Sequence, residues 1–123
     1  MLNLNSVLVF SENPKALVEF YQKILGKESE WSGGDFVGWQ VGDGYLTVGP
    51  HSEVRGRAKE PQRVMFNLET DDVAGEFARI KGLGAKVIQE PYQPGEEPTM
   101  WIATFADPDG NYFQLMSVMK KPN

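Results

Sequence analysis

Apolar residues recur with two different periods along the chain, and the order of those periods sets the architecture. Leu4 to Phe10 is dense in Leu, Val and Phe and reads as a buried strand. Asn13 then offers an N-cap, and Pro14 takes the first helical position, where its missing N–H costs nothing. Leu17, Phe20, Tyr21 and Ile24 follow at helical spacing and form one stripe, which Gly26 closes as a left-handed cap. Three short strands are predicted next, at Glu28–Trp31, Phe36–Val41 and Tyr45–Val48. The segments between them, Ser32-Gly33-Gly34-Asp35 and Gly42-Asp43-Gly44, are rich in residues that tolerate positive φ, so hairpins result.

Residues 50–62 have no periodicity and carry Pro, Gly and charge, as a connection does. After it the pattern restarts. From Arg63 to Glu69, Val64, Phe66 and Leu68 alternate with Met65, Asn67 and Glu69, which predicts a strand. Thr70, Asp71 and Asp72 offer caps for a helix that carries Val73, Phe77 and Ile80 and ends near Gly82 and Gly84. Lys86–Gln89, Met100–Ala106 and Tyr112–Val118 read as three more strands, with an irregular acidic loop from Pro91 to Pro98. The order is βαβββ, connection, βαβββ, with modules at 1–49 and 63–119. Such internal duplication is a strong constraint on topology. A βαβββ unit covers one face of its sheet with its helix and leaves the other bare. Two bare faces turned toward each other would enclose a cleft suited to a ligand.

A chain of 123 residues fits one domain with a sizeable core. It contains no Cys, which excludes disulfides, thiol nucleophiles and thiolate metal sites. The start, Met-Leu-Asn-Leu-Asn, has neither the basic residues nor the long apolar run of a signal peptide, and no stretch is long enough to span a bilayer. A cytoplasmic protein is expected. The net charge of −5 is scattered, so neither nucleic acid nor a membrane surface is an expected partner. The one basic cluster, Arg55-Gly56-Arg57-Ala58-Lys59, lacks interleaved aromatics and reads as a solvated connection.

The closing segment "WIATFADPDGNYFQLMS" narrows the choice further. Asp107-Pro108-Asp109-Gly110-Asn111 is a tight turn with Pro at its second position and Gly where φ is positive. Together with "NPKALVEFYQKILG" and "VMFNLETDDVAGEFARIKGLGAKVI", it closely resembles the vicinal-oxygen-chelate superfamily of glyoxalases, bleomycin-resistance proteins and extradiol dioxygenases. The resemblance spans nearly the whole chain. It implies an α+β fold in which two βαβββ modules form a curved mixed sheet around a cleft. It also implies one of two uses of that cleft. Enzymes of the superfamily bind a divalent metal through His, Glu or Gln and chelate adjacent substrate oxygens. Bleomycin-resistance proteins share the fold, hold no metal and sequester a drug.

Carried onto this sequence, the superfamily's four ligand positions fall on Ser6, Thr47, Met65 and Gln114. Only Gln114 is a familiar ligand for a hard divalent ion; the hydroxyls are weak donors and the Met sulfur is soft. No ordinary metal site is expected, and no other cofactor. His51 is the only histidine and is expected to be a solvated or capping side chain near a loop. A relocated site built from His51, Glu69 and Gln114 is the alternative. Glu69 is the candidate general base, set against the plainer reading of an exposed strand-end acid.

Leu8 and Phe10 share the face of Ser6, and Met65, Trp39 and Trp101 are expected to line the same cleft. Thr47, Asn67 and Gln114 would supply sparse polar contacts. The expectation is therefore a metal-free binder of an apolar or aromatic small molecule, acting as a homodimer. The competing readings are a superfamily enzyme (lyase, isomerase, dioxygenase or thiol transferase) with a relocated metal or metal-free acid/base chemistry, and an interaction domain whose cleft is filled.

Overall fold

In a computed structural model, residues 1–119 are described. The chain divides into two compact units, Met1–Arg57 and Ala58 onward. Each is one βαβββ module. The first comprises β1 (Ser6–Ser11), α1 (Pro14–Leu25), β2 (Trp31–Gly33), β3 (Phe36–Val41) and β4 (Gly44–Pro50). The second comprises β5 (Phe66–Thr70), α2 (Val73–Gly82), β6 (Lys86–Tyr92), β7 (Ile102–Ala106) and β8 (Tyr112–Ser117). The α+β class implied by the resemblance and the duplicated module expected from the periodicity are both present.

The two sheets have the same topology, β1-β4-β3-β2 and β5-β8-β7-β6. In each, the first strand pairs in parallel with the last, and the remaining pairs are antiparallel. The parallel pairing brings the strand before the helix back against the strand that ends the module. Each helix then crosses one face of its own sheet.

Burial follows the pleat. In the first unit Trp39, Leu46 and Val48 are buried with Leu17, Tyr21 and Ile24 of α1. In the second, Phe77 of α2 rests on Phe105 at 5.2 Å between ring centroids, and Phe105 stacks on Phe113, which stacks on Phe66. These rings share one face because Phe66, Phe113 and Phe105 are register partners across three strands.

Several boundaries differ from expectation, each for a local reason. Asn13 does not cap α1 with its side chain; its backbone N–H donates to Ser11 Oγ at 2.9 Å. The second helix is capped as expected, with Asp72 Oδ1 accepting from Gly75 N at 2.9 Å. Strand β2 begins at Trp31, later than expected, and Ser32-Gly33 continue it up to a turn through Gly34 at φ 59°. Strand β5 begins at Phe66, later than expected, and Arg63 is instead taken into a turn, its N–H donating to Glu60 O. Strand β6 runs on to Tyr92 and takes in Pro91, which the expected loop had claimed. It is an edge strand with two register shifts, so a residue without an N–H is tolerated there.

The turn before β8 has the conformation expected of it. Gly110 has φ 83° and donates to Asp107 O at 2.9 Å. Asp107 is 4% exposed, and its Oδ1 accepts from the backbone N–H groups of Asp109 and Asn111. Its carboxylate also accepts from the Asn111 side-chain amide. Replacing Gly110 by Val forces a branched residue into the left-handed region and should cost on the order of 1–2 kcal/mol. A chemical denaturation midpoint unchanged from wild type would contradict this reading of the turn.

Candidate functional site

With one face of each sheet covered by its helix, the other face carries the candidate chemistry. The register defines it in the first unit. Leu8 is opposite Thr47, Thr47 is opposite Gly38, and Gly38 is opposite Trp31, so these four residues form one row across all four strands. Phe10 is opposite Gly49 in the next row, and Ser6 is opposite Tyr45 in the row before. Leu8 is 53% exposed and Trp31 43% exposed, whereas Thr47 is buried.

Two glycines shape this face. A Cβ on Gly38 would lie 2.2 Å from the Trp31 indole, and one on Gly49 would lie 2.2 Å from the Phe36 ring. Both aromatic rings therefore lie over backbone that has no side chain of its own. Phe10 meets Phe36 edge-on at 6.2 Å, and His51 packs on Phe10 at 5.1 Å. The result is an aromatic surface made by Trp31, Phe36, Phe10 and His51, bordered by Leu8. Such a surface offers large contact area with little side-chain freedom to lose.

His51 Nδ1 accepts a hydrogen bond from Glu53 N at 3.1 Å, so this histidine caps its own loop, as the plainer expectation held. Edge strand β2 is held in place from the residue preceding it. Glu30 N donates to Gly38 O, and Glu30 Oε2 accepts from Gln40 N at 2.8 Å. The Lys27 ammonium, followed by the Gln40 amide, holds the Glu30 carboxyl below its ordinary value. Trp31 is thus positioned by its neighbour's contacts to β3 as well as by the ladder.

The equivalent face of the second unit carries one fully polar row. Asn67, Gln114, Thr104 and Gln89 are successive register partners across β5, β8, β7 and β6. Gln114 Nε2 donates to Thr104 Oγ1 at 3.1 Å, which leaves its carbonyl oxygen to accept from elsewhere. The next row is Glu69, Met116, Ile102 and Tyr92. Glu69 is exposed, and its Oε2 accepts from Met119 N at 3.3 Å.

The candidates from sequence thus separate. Ser6, Leu8, Phe10 and Thr47 share the uncovered face of the first sheet, and Asn67 and Gln114 share that of the second. Met65 precedes β5 and is 39% exposed. Trp39 is a correction: its register partner is Leu46 and it is 0% exposed, so it belongs to the face packed beneath α1. Trp101 is also displaced from the expected face. It precedes Ile102, which shares the uncovered face with Gln114, and it lines a pocket beside the start of α2. Sequence reasoning missed Trp31, Phe36 and Thr104. The alternation of β3 around its central Gly38 was the available signal for the first two.

The donor chemistry of the inherited ligand positions does not fit a divalent metal. Ser6 and the buried Thr47 offer only weak hydroxyl donors and Met65 only a soft sulfur; Gln114 alone presents a suitable oxygen, left free because its Nε2 is the atom that donates to Thr104. Among the described residues, no group of three or more His, Asp or Glu side chains is gathered so as to hold a metal ion.

Residues 6–116 match the family model of the glyoxalase-like domain, and the chain belongs to that family. With it comes membership of the vicinal-oxygen-chelate superfamily, whose solved structures share this fold. A glyoxalase/bleomycin resistance protein/dioxygenase family enzyme from Burkholderia phytofirmans superposes with a TM-score of 0.73 at 22% identity, covering 96% of this chain and 100% of that one. Lactoylglutathione lyase from Agrobacterium tumefaciens gives 0.72 at 19% identity, covering 94% and 92% of the two chains. The fosfomycin resistance protein FosX from Listeria monocytogenes gives 0.64 at 18% identity, covering 97% and 93%. At these identities the likeness establishes the fold. No curated protein matches the chain significantly.

Proposed function

We propose that this protein binds an apolar or aromatic small molecule, without a metal ion, against the face of its first sheet that α1 leaves uncovered. One observation carries the reading: Gly38 and Gly49 give up their side chains to rings that remain partly exposed, on a face where a soluble protein ordinarily places polar groups. Uncommitted apolar surface of this kind is the mark of a binding site. The bleomycin-resistance branch of the superfamily offers the nearest functional parallel.

The test is a fluorescence screen of aromatic metabolites and hydrophobic drugs, repeated on Trp31→Ala. Binding that survives the substitution at full strength would overturn the assignment of the surface. Metal independence is tested separately. Protein purified without chelator should contain well under one equivalent of any transition metal. A stoichiometric metal that disappears in Gln114→Ala would refute that part of the proposal.

We also propose that the protein pairs with a second copy and works in the cytoplasm. Among the described residues, no helix is long and apolar enough to cross a membrane. Leu2, Leu4, Val64, Met65 and Val118 are exposed apolar residues that a partner would cover. Light scattering at micromolar concentration should give about twice the chain mass of 13.8 kDa. A mass of one chain across that range would exclude the dimer.

A further inference from the structure

The second unit contains a pocket of about 320 Å³ on the helix side of its sheet, lined in part by Asp71, Val73, Ala74, Pro91, Trp101 and Ser117. Its volume lies at the lower end of small-molecule sites and suits a single ring with a short tail. We propose that this pocket binds a small organic cation with an apolar body, of the arylalkylammonium class, independently of the ligand on the uncovered face of the first sheet.

Three features define that chemistry. The wall formed by Val73, Ala74 and Pro91 is apolar and takes a hydrocarbon body. Trp101 is 40% exposed, and its backbone is fixed on both sides: Trp101 N donates to Ser117 Oγ at 2.9 Å, and Ser117 N donates to Trp101 O at 3.0 Å. With its backbone anchored, the partly exposed Trp101 side chain that lines the pocket offers a ring for a cation–π contact. Thr99 and Ser117 also line the pocket, but their hydroxyls are engaged with Glu97 and with the Trp101 backbone, and the remaining polarity is negative. Asp72 is committed to the helix, with Oδ1 on Gly75 N and its carbonyl on Glu76 N. Asp71, by contrast, has no hydrogen bond or ion pair among the described residues. The helix start is a poor anion site, because the Gly75 amide already donates to Asp72 and two carboxylates lie beside it. A cation would meet one uncommitted carboxylate and one indole, whereas an anion would meet repulsion and a neutral ring would leave Asp71 unused.

The test compares phenethylammonium with its neutral analogue 2-phenylethanol by proton–nitrogen correlation spectra of the full chain. Phenethylammonium should shift the Trp101 indole N–H and the Val73 and Ala74 amides saturably. The neutral analogue should bind at least fivefold more weakly, because it loses the attraction to the ring face. Asp71→Asn should weaken the cation about fivefold and leave the neutral analogue unchanged; Trp101→Ala should abolish the shifts. Thermal midpoints confirm that each variant is folded. Equal affinity for the two probes, or an Asp71→Asn variant that binds the cation as wild type does, would overturn the proposal. So would shifts confined to the Trp31 indole, since these report the aromatic face of the first sheet. Trp31→Ala should not affect this pocket, so failure here and failure of the proposed function are read separately.

Discussion

Replacing Trp39 by Ala should destabilise the protein by about 3–5 kcal/mol, the largest effect expected of any single substitution at a tryptophan. Trp39 is fully buried on the face beneath α1, beside Leu46. Removing an indole there leaves a cavity that the close-packed sheet cannot fill by relaxing. Domains of this size have only about 5–15 kcal/mol of net stability, so much of the reserve would be lost. The indole N–H has no hydrogen-bond partner among the described residues. Phe at this position would discard a buried donor that costs about 1–3 kcal/mol to leave unpaired, offsetting part of the lost volume. Trp39→Phe should therefore lie within about 1 kcal/mol of wild type. Urea denaturation of the pair decides the matter; a Trp39→Ala midpoint close to wild type would place the indole outside the core.

Replacing Trp31 by Ala should do the opposite, leaving stability nearly intact while weakening an aromatic ligand about thirtyfold, or about 2 kcal/mol. Trp31 is 43% exposed on an edge strand, so little packing is lost with it. Its indole lies over Gly38, where a Cβ would approach to 2.2 Å. Gly38→Ala should consequently displace the ring and weaken binding with the tryptophan still present. Titrating one ligand into wild type, Trp31→Ala and Gly38→Ala separates the two causes. Loss in Trp31→Ala without loss in Gly38→Ala would mean that the ring matters and its seat over the glycine does not.

These two tryptophans show where sequence reasoning succeeds and where it stops. Both were recognisable as strand residues, yet only one presents its ring on the uncovered face. Period-2 alternation divides a strand into two sets and does not say which set lies under the helix. On β3 both sets contain large apolar residues: Val37, Trp39 and Val41 on one side, and Phe36 on the other beside Gly38. Only pairing to β4 decided between them, because Trp39 falls opposite Leu46 and Gly38 opposite Thr47. On β8 the same decision was easy. Phe113 and Leu115 alternate with Gln114 and Met116, and the polar member identified the uncovered face.

Trp101 departed from expectation for a related reason. Membership of a strand was inferred, but the strand begins one residue later, at Ile102, and the parity of its neighbours puts the indole beside α2. The shift at β6 is similar, since whether Pro91 ends a strand depends on its lying at a sheet edge, and order within a sheet is absent from local pattern.

The sequence by itself determined the succession of elements, the duplication and a capping segment, Thr70 to Asp72, before α2. It also determined the positive-φ glycine of the last turn and the poverty of metal donors at Ser6, Thr47 and Met65. These depend on residue identity and short-range spacing, except the ligand positions, which the resemblance to the superfamily supplied. Tertiary structure decided which face each tryptophan occupies, that two glycines lie beneath aromatic rings, and that Asn67, Gln114, Thr104 and Gln89 form one row. Each of these joins residues on different strands, and strand register is fixed by hydrogen bonds between segments far apart in the chain.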